Sequence, residues 1–203
     1  GWTASGAIAG ASGVSVENGA AGTAPTYTLE TTSSFEYQLC YKCHSGFTQL
    51  PAQDPAHPSR WALDKGVELN PANVSYHPVE AAGKNQTLAM ALSLAGTSPY
   101  KLWAFETTDT VRCLNCHGED SVATETPVPG ADARLDNHAS ANRGVLIAPY
   151  KDRELNARGL YQAQNFALCY VCHAEAPMVD DSGDLRSDTN FSWHGYHMND
   201  ISG

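Results

Sequence analysis

The sequence holds no run of eighteen apolar residues, so no transmembrane segment is expected in it. Positive charge is scarce as well: twelve Lys and Arg stand against 22 Asp and Glu, for a net charge of −10. Phosphate binding needs clustered cations, and these are scattered singly, so no nucleic-acid partner is expected. The opening stretch, "GWTASGAIAGASG", lacks the basic region and the long apolar core of a secretion signal. The expectation is an exported chain whose leader has already been removed. What remains is an ordinary folded composition, with 42% apolar and 17% charged residues. The acids bunch in "MVDDSGDLRSD" (178–188), which reads as a solvated loop.

Cysteine is scarce and none is spare. All six lie in three copies of one pentapeptide: Cys40-Tyr-Lys-Cys43-His44, Cys113-Leu-Asn-Cys116-His117 and Cys169-Tyr-Val-Cys172-His173. This is the c-type haem attachment motif. Each thiol forms a thioether with one of two neighbouring vinyl groups, which sets the sulfurs about one helical turn apart, and the adjacent histidine then lies under the iron. Structural zinc uses paired knuckles, and three do not pair off; zinc also gives no reason for a histidine after every second cysteine. Disulfides and a thioredoxin-like dithiol leave the histidines equally unexplained. Three covalent haems c, each with iron, are therefore expected.

Eight histidines less the three proximal ones leave His57, His77, His138, His194 and His197 for three distal positions. Met90, Met178 and Met198 are alternative donors that would raise the reduction potential. His57, in "DPAHPSRW", sits between prolines in a turn-like stretch and reads as a surface residue or a reserve ligand.

The blocks "FEYQLCYKCHSGF", "NPANVSYHPVEAAGKN", "LDNHASANRGVL", "NFALCYVCHAE" and "FSWHGYHM" carry a resemblance. In this order they resemble bacterial and archaeal multihaem c-type cytochromes, a group that includes extracellular cytochrome filaments, or nanowires. The resemblance runs from about residue 10 over nearly the whole chain. It implies that His77 and His138 are distal ligands. It implies too that the pair His194 and His197 ligates two different haems, one histidine each. In the family that pair usually stands before a further Cys-x-x-Cys-His, which does not follow here. The expectation is that one of the two serves the third haem and the other an iron in a neighbouring copy.

The fold class expected is loop-rich, with short α-helices at the motifs, few short β-strands and a haem-centred core. Residues 1–30 read as an extended arm, possible at an inter-subunit contact, with strand pieces at "GVSV" and "TYTL"; residues 31–203 read as a single triheme domain. Ser33 and Glu36 have the spacing of a capping box opening a helix through Cys40. "QTLAMALSLAG" (86–96) reads as a helix ended by Gly96, and "QAQNFALCYVCH" as a helix into the third motif. Sequons begin at Asn73, Asn85 and Asn190, about as many as composition alone gives.

The function expected is electron transfer through three bis-histidine haems, without catalysis. The chain is read as the subunit of an extracellular filament joined head to tail, with an axial histidine donated between subunits. Redox proteins or extracellular acceptors would be its other partners. The alternatives are a monomeric periplasmic or cell-surface shuttle and a multihaem oxyanion reductase; the last needs an open iron among positioned acids and cations, which the sequence does not display.

Overall fold

Alternation of β-branched and polar residues in the first thirty positions favours paired strands. The computed structural model, which describes residues 1–48, 64–118, 140–150 and 162–175, places β1 (Gly13–Glu17) antiparallel to β2 (Thr26–Glu30), with Gly13 opposite Glu30 and Glu17 opposite Thr26. "GVSV" and "TYTL" fall inside these strands. Val14 is fully buried, whereas Leu29, its cross-strand partner on the same face, is 57% exposed, so the cover lies over β1. The cover is α1 (Glu36–His44), the helix that carries the first motif. Gly13 makes this approach possible: a Cβ there would stand 2.1 Å from Ser33 Oγ and 3.0 Å from Gln38 Cβ.

The start of α1 is capped differently from the Ser33 and Glu36 expectation. Phe35 is the N-cap, and the Gln38 side-chain carbonyl accepts from the backbone N–H of Ser34 (2.8 Å) and Phe35 (3.0 Å). Glu36 is drawn instead to Arg112, and Ser33 Oγ lies buried with no hydrogen-bond partner. Downstream, Asp64 caps α2 (Lys65–Glu68) by accepting from Gly66 N at 2.9 Å, and it also takes the Tyr27 hydroxyl of β2.

The chain forms two compact units, the first comprising 1–84 and 108–113, the second 85–107 and 114–203. Residues 1–30 belong to the first unit. The second is built around α3 (Leu88–Ala95) and α4 (Ala167–Tyr170). Thr87 caps α3 by accepting from Met90 N at 3.3 Å. Gly96 ends it, but with φ −67°, so no left-handed turn is involved. Close approach is the reason for glycine, since a Cβ would lie 2.6 Å from Ala174 Cβ. The helix expected into the third motif is broken in two: a 3-10 turn at Ala163–Phe166 precedes α4. Its core is Ile147, Ala148, Ala167 and Val171, flanked by Trp103, Leu168 and Cys172. Among the described residues no helix is long and apolar enough to cross a membrane.

Candidate functional site

In α1 the helical repeat sets Cys40 and Cys43 three residues apart on one side, with His44 closing the helix. Cys40 is half-buried, while Cys43 and His44 are exposed. Tyr41, between the two cysteines, points the other way into the first unit and is 1% exposed. Its hydroxyl donates to Glu80 Oε1 at 2.6 Å. Burial, with Glu80 second, pushes the Tyr41 phenol up, which keeps it a donor; burial also raises the Glu80 carboxyl.

Glu80 brings the first motif together with His77. The loop His77-Pro78-Val79-Glu80 is fixed by Val79 N donating to His77 O (2.8 Å) and by Val111 N donating to Pro78 O (2.8 Å). Asn18 holds the second Glu80 oxygen at 2.5 Å. His77 thus stands on a loop tied to the first motif through Tyr41 and to the approach to Cys113 through Val111. The residue is exposed by surface area, yet the dense protein around it desolvates the imidazole and lowers its pKa. A neutral ring with a lone pair is the form that binds a metal.

A second tie links the first motif to the second. Arg112 Nη2 and Nε lie 2.5 and 2.6 Å from Glu36 Oε2, with the glutamate side chain 7% exposed. The Trp2 ring lies against this guanidinium, 5.7 Å from ring centroid to Cζ, and Trp2 Nε1 donates to Thr110 O at 2.6 Å. Removing one partner of a buried pair strands the other charge. Arg112→Met is therefore expected to cost about 3–5 kcal/mol, read as a lower melting temperature, with Glu36→Gln in the same chain recovering most of it. Just beyond Arg112, the thiols of Cys40 and Cys113 hydrogen bond to each other, which draws Cys40 below the usual thiol range.

In the second unit the end of the second motif is held by an irregular segment. Ile147 N donates to Cys116 O, and Gly118 N donates to Val145 O, both at 3.0 Å. His117 Nδ1 lies 3.0 Å from Gly144 O. A carbonyl only accepts, so Nδ1 carries the proton and the lone pair stands on Nε2. Presenting these successive carbonyls requires left-handed backbone at both residues, φ 71° at Gly144 and 56° at Val145. For a β-branched residue that conformation is strained, and such strain gathers at functional sites.

The third motif is treated in the same way. His173 N donates to Cys169 O at 3.0 Å, and His173 Nδ1 lies 3.1 Å from Ser93 Oγ of α3. Burial pushes the Cys116 and Cys169 thiols up to about 11 and Cys172 up to about 12. Thiols held protonated are unlike the activated cysteine of a redox dithiol. After burial, the neighbouring Cys116 adds to the upward shift of Cys172. Within the first unit Cys113 neighbours the first motif, and within the second unit Cys116 neighbours the third.

His57, His138, His194 and His197 lie outside the described residues, as do Met178, Met198 and Asn190. Asn73 is committed structurally: its Nδ2 donates to Val67 O (2.8 Å) and Glu68 O (3.1 Å), and its Oδ1 accepts from Gly22 N (3.0 Å). Sequence reasoning missed Tyr41, Glu80, Ser93 and Arg112, all of which act on partners distant in the chain. Only Gly144 carried a local signal, since glycine is the residue suited to a positive φ. No protein-family model, curated protein or solved structure matches the chain.

Proposed function

We propose that this protein carries electrons through three covalent haems c and turns over no substrate. The observation that carries the reading is the triple Cys-x-x-Cys-His with every cysteine used. The residues present fit the group. In α1 the cysteines have the one-turn spacing that two vinyl groups require, and at His117 and His173 the Nδ1 atom is engaged, which directs Nε2 to a metal. Bound there, haem supplies a one-electron iron couple.

Cys40 and Cys43, Cys113 and Cys116, and Cys169 and Cys172 would hold the three groups, with His44, His117 and His173 as proximal ligands. His77, His138 and one of His194 and His197 would close the opposite faces. Two imidazoles on each iron exclude O₂ and small oxyanions, which supports transfer over reduction of a substrate. Adjacency of the motifs through Cys40 with Cys113, and Cys116 with Cys172, supports short hops.

Five histidines for three distal positions leave two in excess. We place one of the three distal bonds between copies: the histidine of the pair His194 and His197 that closes the third position would come from a neighbouring copy. An iron–imidazole bond across a heterologous contact that does not close generates an extracellular filament. The second reading, a monomeric periplasmic or surface shuttle, is favoured by the net charge of −10, which suits docking on a basic partner.

Intact mass of natively produced protein is expected to show three haems, with a low-spin ferric paramagnetic resonance spectrum and no cyanide binding. Bare thiols or bound zinc would end the reading. Electron microscopy is expected to show long polymers. The double variant His194→Ala, His197→Ala is expected to disperse them while all three haems stay attached; polymers that persist would end the ligand bond between copies, and native protein that never polymerises would leave the shuttle.

A further inference from the structure

The second and third motifs differ in what stands behind the proximal histidine. Behind His117 is the peptide carbonyl of Gly144, at 3.0 Å. Behind His173 is the hydroxyl of Ser93, at 3.1 Å, on a residue 4% exposed in the last turn of α3. A peptide carbonyl belongs to a strong dipole and draws the Nδ1 proton towards itself, making the ring a better electron donor to a metal at Nε2. A lone hydroxyl accepts less strongly. The ligand at the third motif is thus the weaker donor, which disfavours the ferric state.

A second difference has the same sign. Lys101 Nζ donates to Cys172 O, the carbonyl next to His173, and to Leu94 O of α3 at 2.5 Å. It is half-buried. An ammonium fixed against the third motif acts through a medium of lower dielectric than water, and it opposes the extra positive charge of the oxidised iron. It also caps the negative end of α3, which would otherwise favour that charge.

The placement of both residues is built into the fold. Ala174 N donates to Ser93 O at 2.7 Å, Gly96 lets the end of α3 approach Ala174, and Leu102 N and Trp103 N both donate to Val171 O, at 3.0 and 2.9 Å. The segment from α3 to Trp103 therefore clasps the third motif from both ends, with Lys101 between.

Resting on the haem reading above, we infer that Ser93 and Lys101 are positioning residues that set the third haem at a higher reduction potential than the second. An electron shared between these two would reside preferentially at the third motif. Ser93 acts by orienting the His173 ring and limiting its donor strength, and Lys101 acts by its charge.

The test is a spectroelectrochemical titration of the haem-loaded protein, paired with paramagnetic resonance, on wild type and on Ser93→Ala, Lys101→Met and Lys101→Arg. In the wild type the component that answers to Lys101 is expected to titrate above at least one of the other two. Lys101→Met is expected to lower that component alone, and Lys101→Arg, which keeps the charge, to leave it in place. Ser93→Ala is expected to change the low-spin resonance of the same haem, because its ring is no longer held. Three haems by mass with no component moved, with all three moved together, or with different haems answering to the two residues, would overturn this inference alone. Bare thiols by mass would overturn the haem reading along with it.

Discussion

Chain made without haem attachment, or with all six cysteines replaced by alanine, is expected to give the circular dichroism of a largely unfolded polypeptide and to melt without a cooperative step. The reason is the thinness of the apolar interior. Among the described residues, eleven apolar side chains are buried, and three of these are alanines. Ordering the backbone costs about 1–2 kcal/mol per residue. Full burial of a Val, Leu or Phe returns only about 1.5–3 kcal/mol. The helices that carry the motifs are also short, nine residues in α1 and four in α4, below the length at which a helix stands alone in water. A covalent plate at each motif would supply the missing apolar surface, and a group bound only by the native state stabilises it. Circular dichroism and differential scanning calorimetry on the two preparations decide the matter. A cooperative melt of the cysteine-free chain comparable to that of the loaded protein would rule out a haem-centred core.

The second large effect is expected from His77→Ala. One of the three haems should become high-spin in the ferric state, bind cyanide and rise in potential, while the other two keep their spectra. The loop should survive the substitution, because its anchors do not use the ring: Tyr76 OH donates to Ala82 O, Val79 N to His77 O, Val111 N to Pro78 O, and Tyr41 OH to Glu80. What is lost is a ligand rather than a fold, so added imidazole should restore the low-spin spectrum. If all three haems stay low-spin in the variant, the sixth ligand comes from elsewhere, with His57 the reserve candidate.

Local patterns in the sequence located most of the regular structure. The first motif sits on a helix, the two alternating pieces near the start pair as strands, and the apolar run after Thr87 is α3. Errors came where distant residues compete for a side chain. Ser33 and Glu36 have the spacing of a capping box, but Arg112, 76 positions away, takes the glutamate, and the hairpin closes over the serine. Gly96 was read from its place after a helix, whereas its use is the approach of Ala174. At the candidate site the cysteines and proximal histidines were legible because their chemistry fixes their spacing. The groups that orient them were not, since Ser93 is 80 residues from His173 and Glu80 is 39 from Tyr41.

The contact between the Cys40 and Cys113 thiols has a bearing on biogenesis. A thiol drawn below its usual range by a neighbouring thiol is the more readily oxidised of the two. Exporting compartments are oxidising. On the haem reading, a bond formed there would consume one attachment point in each of two motifs. If the chain takes up haem as proposed, keeping these two sulfurs reduced until attachment would matter more here than at the other cysteines.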